Sequence, residues 1–275
     1  MPNRILIISD THMARPQHVG HAPAAEQLVP LIESGIARLI VNGDAAELHH
    51  LSMRGDAARQ VLRLFELCDQ ADVELTLISG NHDPHLSDLR HLSLCDGAVF
   101  LTHGDILHPA VAPWSEDAEF NRRAVADALA ALDPDERHRL ETRLSAFQHA
   151  AHLTWLNLDR MTSGRHAVLD LLKRPLAIVR MLHYWATLPA LADRFVTQYA
   201  PDCRFFLFGH AHRPGIWRRS GRTLINTGSF SLPGRPRAVL IDPDAADLAV
   251  YRILRRDDGC RLAERPIANF DLARR

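Results

Sequence analysis

The chain is poor in several things, and each scarcity excludes a class of protein. Four cysteines are spread over 275 residues, at Cys68, Cys95, Cys203 and Cys260. With no Cys-x-x-Cys pair among them they suit neither a zinc knuckle nor a small disulfide-stapled scaffold. We read them as reduced, in a cytoplasmic protein. No apolar run is long enough to span a bilayer; the best candidate, Leu176 to Ala192, is interrupted by Arg180 and His183. No signal peptide is expected before the first strand, which begins by about Arg4. Neither sign of charge dominates, since 32 Lys plus Arg face 33 Asp plus Glu. No global field therefore marks a nucleic-acid binder, and none is expected as a partner. Repeats and low-complexity stretches are absent.

What is present is a globular composition, 47% hydrophobic, and 17 histidines. The length suits one large domain, or one domain carrying an insertion. Through the first hundred residues, short apolar runs alternate with helical patterns. Strands are expected at Arg4–Ser9, Arg38–Val41, Val73–Ile78 and Ala98–Leu101. Helices are expected at Pro23–Ser34, capped by Gly35, and at Asp56–Ala71. This rhythm argues for an α/β fold. From about 109 to 200 the pattern is helical only. A helix start is read at Ser115, a capped start at Asp133-Pro134-Asp135-Glu136, and breaks at Ser163-Gly164, Pro175 and Pro189. Strands then return at Arg204–Phe208. Two further strand pairs follow, around Ser220-Gly221 and around Asp242-Pro243-Asp244. The last fifteen residues carry no clear pattern.

Five of the buried runs end in the same kind of cargo. Ile5–Ile8 leads into Ser9-Asp10-Thr11-His12, and Leu39–Val41 into Asn42-Gly43-Asp44. Leu77-Ile78 is followed by Gly80-Asn81-His82-Asp83, Phe100-Leu101 by Thr102-His103-Gly104-Asp105, and Phe206–Phe208 by Gly209-His210-Ala211-His212. Strands of a mostly parallel sheet end along one edge, and ligands bind outside that edge. Burying such polar groups without partners is costly, so they are expected to hold something in common. Glycine precedes the polar group in three of the five, which allows close backbone approach. Asp-x-His alone is a weak signal; all five units, each at a strand end, are a strong one.

On these motifs the chain resembles the calcineurin-like metallophosphoesterases. The units are Asp10-Thr11-His12, Gly43-Asp44-Ala45-Ala46-Glu47, Gly80-Asn81-His82-Asp83, His103 and Gly209-His210-Ala211-His212. The resemblance covers residues 4–108 and 203 to about 242. It implies two mixed β-sheets between helices, an α/β/β/α arrangement in a single domain over 1–275. The helical segment at about 109–200 would be a lid inserted into that domain. The resemblance also implies two divalent cations. Asp10, His12, Asp44 and His212 would hold one; Asp44, Asn81, His103 and His210 would hold the other, with Asp44 shared. Nitrogen and oxygen ligands without thiolate suit manganese first, with iron or zinc as alternatives. Such a pair neutralises a phosphate ester and lowers the pKa of a water bridging it. His82 would assist the leaving group, oriented by Glu47.

Other residues have plainer expectations. Asp83 is read as a cap for a helix at Pro84, or as a bond to a ligand. Asp105 is read as a turn residue. His18, His21, His49, His50, His85 and His108 are read as solvated loop residues near the site edge. Some relatives carry arginine directly after the Gly-Asp-x-x-Asp unit as a phosphate clamp, and this chain has Leu48 there; Arg213, Arg54 or the insertion would have to substitute. Between Arg137 and Arg194 nine basic residues face four acidic ones, with Trp155, Tyr184 and Trp185 as aromatic surface. That suits a lid recognising an anionic, phosphorylated small molecule, lipid- or nucleotide-linked, with peripheral membrane contact. The helical lid is similar to that of the UDP-2,3-diacylglucosamine hydrolases, although those typically carry arginine where this chain has His82. Relatives that serve as scaffolds have lost metal-site histidines; every such position is filled here.

Overall fold

The computed structural model describes residues 3–15, 22–158, 175–231 and 234–273. Strand β1 (Ile5–Ile8) pairs in parallel with β2 (Arg38–Asn42), and β2 with β3 (Glu74–Ile78). On the other side β1 pairs antiparallel with β9 (Arg237–Asp242), which pairs with β10 (Asp247–Arg256). Strands β11 (Gly259–Leu262) and β12 (Ala268–Asp271) share β10 and complete a seven-stranded mixed sheet. The second sheet has the order β4 (His91–Leu94), β5 (Val99–Thr102), β6 (Phe205–Phe208), β8 (Arg222–Asn226), β7 (Gly215–Arg219).

Alternation along the strands builds the layers. Ile7, Ile40, Val99, Leu101, Leu207 and Val239 point into a core between the two sheets. Their neighbours Leu6, Ile8, Leu39 and Val41 face out, toward α1 (Val29–Ile32) and α2 (Leu51–Gln70). Phe100, Phe206 and Phe208 face the opposite way. They pack against Val125 of α3 (Ala118–Ala130), Leu144 and Phe147 of α4 (Leu140–Leu158), and Leu188 and Val196 of α5 (Pro175–Tyr199). The result is the α/β/β/α arrangement expected, with an apolar core between the sheets.

Several expectations need correction. The five polar strand ends come from two sheets, not one: β1, β2 and β3 supply three, β5 and β6 the other two. The segment read as a helix over Pro23–Ser34 is a 3₁₀ turn at Ala25–Leu28 followed by the short α1, with Pro30 at its start. Gly35 does follow it in a left-handed conformation. Helix α2 begins at Leu51, five residues before the expected Asp56, without a side-chain cap at His50. Asp117, not Ser115, precedes α3, and the 133–136 signal yields a 3₁₀ turn at Glu136–His138 before α4 begins at Leu140. Strand β4 and the two C-terminal strands lack a continuous apolar run and escaped the pattern. Pro189 does not break the chain but sits inside α5. A proline there leaves the carbonyl four residues back without its helical partner, and the Arg213 guanidinium donates to that Trp185 carbonyl instead. Ser163-Gly164, His18, His21, Arg160, Arg165, Lys173 and Arg174 lie outside the described residues. No described helix is long and apolar enough to cross a membrane.

Candidate metal centre

Backbone bonds stitch the loop after β1 to that after β2, and the loop after β5 to that after β6. Asp10 N–H donates to the Gly43 carbonyl (3.0 Å), His12 N–H to Asp44 (2.9 Å), and Gly209 N–H to His103 (2.7 Å). Three glycines make this approach feasible. A Cβ at Gly43 would lie 2.2 Å from His103 Nδ1, one at Gly80 2.3 Å from Asp44 Oδ1, and one at Gly209 2.1 Å from Asp10 Oδ2. Each glycine makes room for a polar side chain from a different strand.

The expected residues do meet. Ligand atoms of Asp10, His12 and His212 form one group within 4.8 Å of one another, and those of Asp44, His103 and His210 form a second. Asp44 stands between them, its Oδ2 3.8 Å from His12 Nε2 and 3.2 Å from His103 Nε2. Asn81 Oδ1 lies 3.3 Å from His103 Nε2. His12 and His212 turn their Nε2 atoms toward each other at 3.0 Å.

The donor set fits cations. Three imidazoles are held by their outer nitrogen, leaving the inner one for the site. His103 Nδ1 faces the Asn42 carbonyl (3.1 Å), His210 Nε2 the Val111 carbonyl (3.0 Å), and His12 Nδ1 lies 2.9 Å from Glu47 Oε1. Burial, reinforced by Arg15, lowers His12 to about 3; burial and His103 lower His210 to about 4. Both shifts favour the neutral form that ligation requires. His103 behaves oppositely. Burial works against its charge, but the Asp44 and Asp10 carboxylates outweigh that and raise it to about 10. The same carboxylates that favour a positive charge on His103 would favour a cation beside it.

Backbone geometry adds a signal that composition cannot show. Asp10, His12, Asp44, His210 and His212 all have φ between 49° and 63°. For residues with a Cβ this costs about 1–3 kcal/mol each and persists where surrounding structure enforces it, often at functional sites.

Around this centre, Glu47 is a hub. It is buried, ion-paired with Arg15, and its Oε2 is 2.9 Å from both His82 Nδ1 and His49 Nδ1. Burial opposes its charge, but Arg15 and the imidazoles hold it well below the usual range. His82 gains from this: burial pushes its pKa down, Glu47 and Asp44 push it up, and the net direction is upward. Its backbone N–H donates to Asp44 Oδ1 at 2.8 Å, which ties its position to Asp44.

Other expectations divide here. Asp83 caps no helix, but the alternative, a bond to a ligand residue, is present in its contact with the Asp44 N–H. It is buried and accepts backbone N–H bonds from Gly80 (2.7 Å), Ala45 (2.6 Å), Asp44 (3.2 Å) and Ala46 (3.3 Å), so it holds the Asp44 loop in place. Burial and the nearby Asp44 carboxylate raise it to about 7. Asp105 is not a free turn residue but a buried partner of Arg90 at 3.0 Å. His49 is not on a solvated loop; it is buried against Glu47, its ring 4.1 Å from that of His82. Both arginines read as a clamp have partners outside the metal ligands. Arg213 serves the Trp185 carbonyl, and Arg54 donates to the Leu48 carbonyl (2.9 Å) and covers Trp155.

The model of the calcineurin-like phosphoesterase superfamily domain matches residues 4–245. The chain belongs to this superfamily. As a calcineurin-like phosphoesterase it is a metal-dependent hydrolase, and the carboxylates and imidazoles just described are groups that can bind divalent cations. No curated protein matches the sequence. Solved structures similar to it include a dimetal phosphatase from Danio rerio, 16% identical, covering 92% of this chain and 96% of that one, TM-score 0.48. The phosphoesterase Yfce from E. coli is 17% identical, with 98% and 99% covered, TM-score 0.42. Vacuolar Protein Sorting 29 from Cryptosporidium parvum is 12% identical, with 98% of each chain covered, TM-score 0.42.

Proposed function

We propose that this phosphoesterase uses two cations and hydrolyses a phosphate ester or pyrophosphate bond of an anionic small molecule. Asp10, His12, Asp44 and His212 would hold one cation, and Asp44, Asn81, His103 and His210 the other. The observation that carries this is Asp44, whose single carboxylate lies within 4 Å of an imidazole nitrogen from each group. When bound, such a pair neutralises the ester and lowers the pKa of an attacking water. The donor set suits manganese first, with iron or zinc as alternatives.

The chain's own residues then do the remaining work. His82 holds a proton, because Glu47 supports the charge on its Nδ1 side, and gives it to the leaving oxygen. Glu47 is a positioning residue, fixing the His82 and His12 rings through one carboxylate. The helices of 109–200 act as a lid, since Val111, Ser115, Asn121 and Trp155 share a cavity wall with Asn81 and His82. Unpaired cysteines at all four positions agree with a cytoplasmic setting.

A second reading, a pyrophosphatase acting on a lipid-linked nucleotide like the UDP-2,3-diacylglucosamine hydrolases, is favoured by another cavity of about 620 Å³. Val179, Tyr184 and Leu191 give it apolar walls, and Arg180 gives it charge, while Arg122 is paired with Glu119 on the same wall. Contact with a membrane surface would accompany that substrate. A scaffold without activity is disfavoured because all seven candidate ligands are present. The purified protein with Mn²⁺ should hydrolyse a chromogenic phosphate monoester or diester. Failure on every ester, with metal demonstrably bound, would favour the scaffold.

A further inference from the structure

Two arginines face each other across the β9–β10 pair. Arg237 on β9 and Arg252 on β10 are directly opposite partners. Residues so placed share one face of the sheet, and like charges there are destabilising. Arginine does not escape by losing its proton. Burial first, and then Arg252, hold Arg237 below the usual guanidinium range, so the two heads lie close enough to repel. The chain has 33 acidic residues to its 32 basic ones, and a carboxylate would be the ordinary remedy. None is supplied. Among the described residues neither head makes an ion pair with an acid. The pair lines a cavity of about 580 Å³ whose wall also includes Arg235 and Arg255, and no aspartate or glutamate. Arg255 stands over the Phe230 ring, 5.4 Å from its centroid, and donates to the Phe230 carbonyl.

We propose that this cavity is an anion site separate from the metal centre, and that it takes a small molecule bearing two phosphate groups, with Arg237 and Arg252 as its central contacts. Guanidinium groups hold phosphate through paired hydrogen bonds, and four of them exceed what a single phosphate needs. The volume is that of a small-molecule site. Neither His82 nor any candidate metal ligand lines it. The two places touch one segment, 227–231. Phe230 N–H donates to the Asp10 carbonyl (3.0 Å), and Arg237 N–H donates to the Thr227 carbonyl (2.8 Å).

The test is calorimetry with propane-1,3-diphosphonate, which holds no ester bond to hydrolyse, on the full-length, Mn²⁺-loaded protein at fixed ionic strength. Binding should persist in Asp44→Ala, which disables the metal centre. It should weaken at least about tenfold in Arg237→Gln/Arg252→Gln. The same change of charge on β7 in the other sheet, Arg218→Gln/Arg219→Gln, should leave it unmoved. In Asp44→Ala, methylphosphonate, with one anionic group, should bind at least about tenfold more weakly than the diphosphonate. Without ligand, Arg237→Gln/Arg252→Gln should melt no lower than the unaltered protein, because a like-charge pair has been removed, and its turnover of p-nitrophenyl phosphate should be unchanged. Binding that vanishes in Asp44→Ala belongs to the metal centre, and binding that falls equally in both arginine variants belongs to general surface charge; either result overturns the proposal. So do equal binding of methylphosphonate and a lower melting temperature of the ligand-free Arg237→Gln/Arg252→Gln protein, which would show that these arginines serve the fold. No binding at all ends the proposal and leaves the phosphoesterase reading intact.

Discussion

One buried carboxylate, Glu47, joins a candidate metal ligand, His12, to His82, the residue proposed to serve the leaving group. Replacing it with glutamine keeps the volume but removes the charge that raises His82. The sign of the pH effect follows. A histidine whose pKa is raised stays protonated to higher pH, so activity that needs its proton falls as pH rises through the raised value. In Glu47→Gln this alkaline decline should move to lower pH, with kcat reduced about 10–100-fold; an unmoved profile would contradict the role. His82→Ala should keep its metal and lose kcat by a similar factor. His103 is raised to about 10 by Asp44 and Asp10, against burial. A cation held by this imidazole would displace a proton, so metal binding at pH 7 should release at least one proton, measurable by calorimetry in buffers of different ionisation enthalpy. Binding without proton release would show that His103 is not a ligand. The types and spacing of these residues were legible in the sequence because each motif sits at a strand end. The left-handed backbone at Asp10, His12, Asp44, His210 and His212 was not legible, because three-dimensional bonding enforces it. Nor was the burial of His49, which looks like any loop histidine until Glu47 folds against it.

At the scale of elements, the strand–loop junctions matter more than the strands. Gly43, Gly80 and Gly209 were readable as punctuation, but not as the spaces that His103, Asp44 and Asp10 fill. Gly209→Ala should push the Asp10 carboxylate aside and lower metal content while leaving helix and strand content unchanged. Retention of full metal occupancy would show that the loop yields without displacing Asp10. The Asp83 carboxylate gathers four backbone N–H groups of two loops. Asp83→Ala should destabilise the protein by about 3 kcal/mol, since several donors are left buried and unpaired; denaturant unfolding measures this. Parallel central strands announced themselves by continuous apolar runs. Edge strand β4, with half-exposed His91 and Leu92, and the C-terminal β11 and β12 did not, because pairing with a neighbour rather than local preference makes them strands. Helix α5 likewise runs through Pro189 because Leu188, Ala192 and Val196 are buried and Arg213 takes the freed carbonyl.

For the whole molecule, two sheets close on a core of Ile7, Ile40, Leu101 and Leu207, and their strand ends are thereby carried to one place. A sequence shows which strands carry polar tips but not that they belong to two sheets, since sheet order depends on contacts far apart in the chain. Asp44, placed between the groups of both sheets, is where the account is most exposed. The direct test is an anomalous-scattering map from crystals grown with Mn²⁺, paired with metal analysis of the same protein. The account predicts two ions about 3.5–4 Å apart with Asp44 bound to both, and loss of at least one in Asp44→Ala. One ion alone, or ions away from Asp44, would contradict it.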